Sequence, residues 1–116
     1  MREIKFRVWD SISTAYHYWG NIQNNKFNDF DLEHYTLEQF TGLKDKNGVD
    51  IYEGDILSYY QPYAYRTDVH FVKWDTDWSG FGLFEKDDKW CKESDWVKIQ
   101  DIEVVGNIHQ NPELLK

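Results

Sequence analysis

The stretch Thr41–Leu57, TGLKDKNGVDIYEGDIL, decides how the chain is read. Asn47-Gly48 is its strongest turn signal. Both residue types tolerate the positive φ that a type I′ hairpin requires at its two central positions. Leu43 before the turn, and Val49 and Ile51 after it, then form a short β-arm. Gly54 marks a second tight turn, where a Cβ would resist the backbone shape. Asp55 is placed to accept a hydrogen bond from a nearby backbone N–H and so hold that turn. Asn47, Gly48, Gly54 and Asp55 are therefore predicted to be structural corners, and Ile56–Tyr60 to begin the next strand.

Upstream, residues 3–9 alternate in the period of a half-buried strand. Glu3, Lys5 and Arg7 are predicted to face outward, and Ile4, Phe6 and Val8 inward. Tyr16–Ile22 is aromatic and interrupted by Gly20, and Asn24-Asn25 is predicted to turn it back toward Phe27 and Phe30. Asp31–Phe40 reads as irregular or short. Downstream, Pro62 opens the loop QPYAYRTD, which exposes Tyr63 and Tyr65. Val69–Trp74 reads as a strand, DTDWSG as a turn, Phe81–Phe84 as the return strand and EKDDK as a charged tip. Trp96–Ile99 and Ile102–Val105 are further strands. Asn111-Pro112-Glu113 combines an N-cap, a proline at the first helical position and an acid in the first turn, so one or two helical turns end the chain.

Short strands separated by glycine turns predict a mainly β fold. The form expected is a small, strongly bent β-barrel, with an SH3-like arrangement as one version, or a sandwich, carrying a short C-terminal helical turn. No repeat or linker divides the chain, and residues 1–116 read as one domain.

Six Trp, eight Tyr and seven Phe against one Met predict a core of rings and β-branched side chains. The net charge of −8 weighs against non-specific phosphate binding, which needs Lys and Arg, and suits contact with a basic protein surface. The single cysteine, Cys91, has no partner within the chain, so a reducing compartment is the simpler reading. The N-terminal MREIKFRVWD lacks a signal-peptide apolar block, and no apolar run approaches the roughly 20 residues of a bilayer span. A soluble, cytoplasmic protein is expected, with no membrane partner.

Three stretches taken together, REIKFRVWD (2–10), FTGLKDKNGVDIYEGDIL (40–57) and EVVGNIHQNPELL (103–115), closely resemble the YopX family. Trp74-Asp75 and Gly80-Phe81-Gly82-Leu83 match a further family region, whereas 14–34 and 59–70 follow no family pattern. The resemblance implies a mostly β domain encoded by phages or prophages of Gram-positive bacteria. It implies no reaction and brings no catalytic residues.

Asp45, Asp50, Glu53 and Asp55 are close enough in sequence to suggest Mg²⁺ or Ca²⁺ binding or an acid–base pair. The EF-hand spacing is absent, because Gly48 comes too early and no glutamate holds the twelfth loop position. A solvated hairpin tip plus a turn-holding aspartate is the favoured reading. His17, His34, His70 and His109 are too dispersed for a zinc motif. Lys89 and Lys92 could activate Cys91, but a plain thiol is the simpler expectation. No nucleophile elbow, phosphate loop or zincin motif appears. No catalytic residue, metal or cofactor is assigned.

Tyr63, Tyr65 and Trp78 are the candidate binding aromatics, suited to stacking on single-stranded bases or gripping a proline-rich peptide. The function expected is that of a phage or prophage accessory protein, not an enzyme. It would bind a protein of host or phage, and a homo-oligomer is compatible with the ring content. A single-stranded nucleic-acid module and a carboxylate metal enzyme are the alternatives.

Overall fold

The computed structural model describes residues 3–24, 33–77, 79–86, 96 and 99–115. The stretch Thr41–Leu57 leads into β5, Asp55–Gln61, which is buried at five of its seven positions. A strand covered on both faces needs neighbours on both edges. β5 has them in β6, Arg66–Asp75, and β8, Gln100–Asn107, both antiparallel to it. β7, Gly80–Phe84, adds to the far edge of β6, giving the order β7-β6-β5-β8.

Successive side chains on a strand point to opposite faces, so β5 feeds two apolar clusters. Leu57 and Tyr59 join Ile51, Val72, Leu83 and Ile99 on one side. Ile56 joins Phe71, Phe84 and Leu115 on the other, with Ile108 packed against them. The second cluster depends on the C-terminal segment. There a short 3₁₀ helix, Pro112–Leu114, delivers Leu115 onto the sheet. The helical turn expected from Asn111-Pro112-Glu113 forms, but Asn111 does not cap it through its side chain. Its Oδ1 instead accepts from Asn107 N at 3.2 Å. Asn107 Oδ1 takes over the turn by accepting from the His109 and Gln110 N–H groups.

A second sheet has the order β2-β1-β3-β4. Its strands are β1 Phe6–Asp10, β2 Ala15–Tyr18, β3 Tyr35–Lys44 and β4 Asp50–Tyr52, all paired antiparallel. A short helix, α1 Trp19–Asn24, follows β2 and packs on β1 and β2. The mainly β, strongly bent fold and its terminal helical turn are as expected; the strands are divided between two four-stranded sheets.

Two local expectations are corrected. The chain leaves β1 through the turn at 11–14, where Asp10 Oδ1 accepts from the Ile12 and Ser13 N–H groups. Asn24 ends α1, while Asn25, Phe27 and Phe30 lie outside the described residues. The end of the segment read as irregular, Tyr35–Phe40, belongs to the ten-residue β3. Its pattern is hard to read because Leu37 is exposed and Glu38 buried. β1 also departs from the alternation rule, since Arg7 is buried and Ile4 exposed. The strands expected at 69–74, 81–84 and 102–105 are present and longer. Of Trp96–Ile99, residues 97 and 98 lie outside the description, as does most of the charged tip.

The Asn47-Gly48 corner is a hairpin turn of a different kind from the one expected. Only Gly48 has positive φ, at +79°. Gly48 N donates to Asp45 O, and Asp45 N donates to Val49 O, so the loop has three residues with glycine in its left-handed position. Asp45 Oδ1 accepts from Asn47 and Val49 N–H, and its Oδ2 accepts from Val104 N. Lys46 N donates to Ile102 O. The hairpin tip therefore reaches the outer edge of β8 and supplies acceptors and donors that a ninth strand would otherwise provide.

Gly54 is more constrained than Gly48. Its φ is +84°, and a Cβ there would strike the Glu38 carboxylate, whereas a Cβ at Gly48 meets open space. Gly48→Ala should cost about 1 kcal/mol, the steric cost of the left-handed region. Gly54→Ala should cost about 3 kcal/mol or more, because Glu38 must also move out of a buried site. Urea unfolding of the two variants checks the order.

Candidate functional site at the junction of the sheets

The two sheets meet around Arg7 of β1, which is only 4% exposed. Its Nε donates to Glu38 Oε1 of β3 at 2.9 Å. Its Nη2 donates to Asp55 Oδ1 of β5 at 2.9 Å and to the Glu53 carbonyl at 3.0 Å. The guanidinium lies over Tyr16 of β2 at 4.0 Å and over Tyr52 of β4 at 4.7 Å. Such a face-on approach draws on the negative face of each ring. Glu38 Oε2 pairs with His109 Nε2 at 2.8 Å, and the His109 ring stacks on Trp9 with centroids 4.8 Å apart.

The hydrogen-bonding partners of Arg7 are 31 to 48 residues from it in sequence, so no local pattern announces them. Arg7 lay on the face predicted to be outward. That face looks toward the β7-β6-β5-β8 sheet, and the charge is buried because two carboxylates come to meet it. Burial works to lower the Arg7 pKa, but Asp55 and Glu38 hold it above its ordinary value. Burial pushes the Asp55 carboxyl up to about 6, against the pull of Arg7 and of the Tyr52 N–H. Burial, with Glu38 adding to it, also raises Glu53. The Tyr16 hydroxyl is pushed well up by burial and keeps its proton. It has no partner in good hydrogen-bond geometry among the described residues.

Beside this cluster opens a cleft of about 390 Å³, walled by Tyr16, Tyr18, Tyr52 and Val49 from one sheet and by Val104, Gly106 and Asn107 from the other. Arg7, Asp50, Asp55 and Gln110 complete its lining.

The four clustered carboxylates do not converge on a metal, and no group of three metal-ligating side chains occurs among the described residues. Asp45 holds the hairpin tip. Asp50 pairs with Lys5 at 2.7 Å and Lys44 at 3.3 Å. Glu53 accepts from Gln39 N, and Asp55 Oδ2 accepts from Tyr52 N at 2.8 Å. The solvated hairpin tip expected from the sequence is thus corrected at Asp45, which is buried and engaged. Asp55 does hold its turn as expected, while also binding Arg7.

The histidines stay dispersed. His17 lies 3.5 Å from Asp10, and His70 Nδ1 is 2.5 Å from the Tyr59 hydroxyl. His109 alone joins the junction. Tyr63 and Tyr65 sit on the tip between β5 and β6, 78% and 85% exposed, and Tyr65 holds a positive φ of 52°. Trp78 and Cys91 lie outside the described residues. The residues that sequence reasoning missed are Arg7, Tyr16, Glu38 and His109. The available signal was the position of Arg7 and His109 inside the first and last motif stretches.

The family model described as YopX protein matches residues 5–116. No curated protein sequence matches the chain. The crystal structure of protein EF1440 from Enterococcus faecalis is similar over 100% of both chains, at 30% identity and a TM-score of 0.68.

Two outcomes follow from the junction. Arg7→Met should cost about 3–5 kcal/mol in denaturant unfolding, because it strands two buried carboxylates. The folded chain also holds the Asp55 proton more tightly than the unfolded chain, whose carboxyl titrates near 3.8. The stability Asp55 confers is therefore complete below about pH 4 and is lost as pH rises through about 6. Asp55→Asn should flatten that segment of the stability–pH curve, measured by urea unfolding at each pH.

Proposed function

We propose that this protein, which belongs to the YopX family, is a non-catalytic accessory protein of a phage or prophage. It acts in the cytoplasm of the bacterial host by binding another protein. The observation that carries this reading is the β5–β6 tip, where Tyr63 and Tyr65 present their rings to solvent. Rigid aromatic side chains on a firmly held tip are the usual anchors of protein interfaces, because they bury much area with little loss of side-chain freedom. Register pairing up to Gln61↔Arg66 holds this tip. The engagement of Asp45, Asp50, Glu53 and Asp55 by internal partners supports a binding role over hydrolysis.

The net charge of −8 favours a basic partner surface over a phosphate backbone. No helix among the described residues is long and apolar enough to cross a membrane.

Tagged protein incubated with host lysate should retain one host or phage protein. The double variant Tyr63→Ser/Tyr65→Ser should retain at least tenfold less, with an unchanged circular dichroism spectrum. Equal retention by both forms would remove the tip from the interface. Tryptophan quenching by an oligonucleotide at low salt, weakening as salt is added, would favour nucleic acid instead.

A further inference from the structure

The cleft at the sheet junction is lined by polar groups whose hydrogen-bonding capacity is unevenly used. Its carboxylates are occupied at every oxygen but one. Asp55 gives one oxygen to Arg7 and the other to Tyr52 N, and Asp50 Oδ2 accepts from Lys5, while its buried Oδ1 has Lys44 3.3 Å away but no hydrogen bond in good geometry among the described residues. Glu38 behind them gives its oxygens to Arg7 and His109. Asn107 Oδ1 accepts two backbone N–H groups, and Gln110 Oε1 accepts from Asn107 Nδ2 at 2.8 Å. The acceptors are largely spent.

The donors are not. Arg7 uses Nε and Nη2, while Nη1 has no acceptor among the described residues. The Gln110 side-chain N–H₂ and the half-exposed Tyr18 hydroxyl are likewise without a partner among them. A ligand for this cleft must bring acceptors, and each N–H it buries risks being left unsatisfied. It should also be uncharged where it meets Arg7, because Glu38 and Asp55 already surround that cation and would repel an anion.

The walls add a shape requirement. Tyr16, Tyr18 and Tyr52 form a continuous series of rings, with centroids 5.9 Å apart for the first pair and 6.1 Å for the second. The volume of about 390 Å³ falls within the range of small binding pockets, roughly 300–1,000 Å³.

We propose that this cleft binds a proline-rich segment of a protein partner in the polyproline II conformation. Such a segment carries carbonyl acceptors and, at each proline, no N–H. It offers flat rings to the tyrosines, and it is already extended before it binds. The acidic surroundings favour basic residues at its flanks. This proposal rests on the reading of the molecule as a protein-binding one, and it adds a second surface, distinct from the Tyr63–Tyr65 tip.

The test is titration of the labelled full chain with end-blocked hexaproline, followed by ¹H–¹⁵N NMR. An end-blocked Gly-Ser hexapeptide, equal in carbonyls but bearing N–H groups, is the comparison. Saturable shifts at the Arg7 Nε–H and at the backbone of Tyr18 and Gln110 are expected with hexaproline. The Gly-Ser peptide should bind at least tenfold more weakly. Tyr18→Ala and, independently, Gln110→Ala should each weaken hexaproline binding severalfold or more without changing the rest of the spectrum. Absence of shifts at millimolar hexaproline, equal binding of both peptides, or shifts confined to Tyr63 and Tyr65 would each overturn the proposal. Those results leave the lysate experiment on the Tyr63–Tyr65 tip free to succeed or fail separately.

Discussion

A guanidinium buried between two sheets constrains nearly everything else in this molecule. Arg7 cannot shed its charge, so it must meet compensating groups wherever it is buried. It finds Glu38 on the neighbouring strand and Asp55 and the Glu53 carbonyl on the far side of the junction. A buried ion pair contributes little net stability once desolvation is counted, but breaking one is costly. Its effect here is on arrangement: alternatives that separate β1 from β3 or β5 leave a charge without its partners. Gly54 belongs to the same constraint, since only a residue without a Cβ lets the chain pass the Glu38 carboxylate.

A second junction repeats the logic with an aspartate. Asp45 sits at the end of the β3–β4 hairpin and is 7% exposed. Its carboxylate takes N–H groups from its own turn and from Val104. Burial opposes the ionised form, and those three N–H donors overcome it and lower the pKa. One corner is therefore held by a cation among anions, the other by an anion among backbone amides. Both lie within or against Thr41–Leu57, which explains why a short connecting segment carries so much of the fold's definition. The cleft is the space these two attachments leave between the sheets.

The side chains richest in chemistry, the carboxylates and His109, are committed to holding the sheets together. The tip and the cleft present tyrosines in different forms: strongly exposed rings at Tyr63 and Tyr65, a half-exposed ring at Tyr18, and the rings of Tyr16 and Tyr52 held against Arg7.

Amino-acid order alone determined the mainly β class, the corners at Gly48 and Gly54, several of the strands and the C-terminal turn. These depend on interactions between neighbours in the chain: backbone freedom at glycine, ring constraint at proline and period-two burial. It also marked Tyr63 and Tyr65 as exposed, because Pro62 interrupts the strand beside them. The tertiary structure decided that β1 is buried on both faces and that Tyr35–Lys44 is one strand. It also decided that Asp45 and Asp55 are buried and that Arg7, Tyr16, Glu38 and His109 form one site. The physical reason is that a charged side chain is assigned outward by its desolvation cost, and only partners distant in sequence can offset that cost. Until the sheets meet, Arg7 and Glu38 look like surface residues; once they meet, the burial of each is what makes the burial of the other possible.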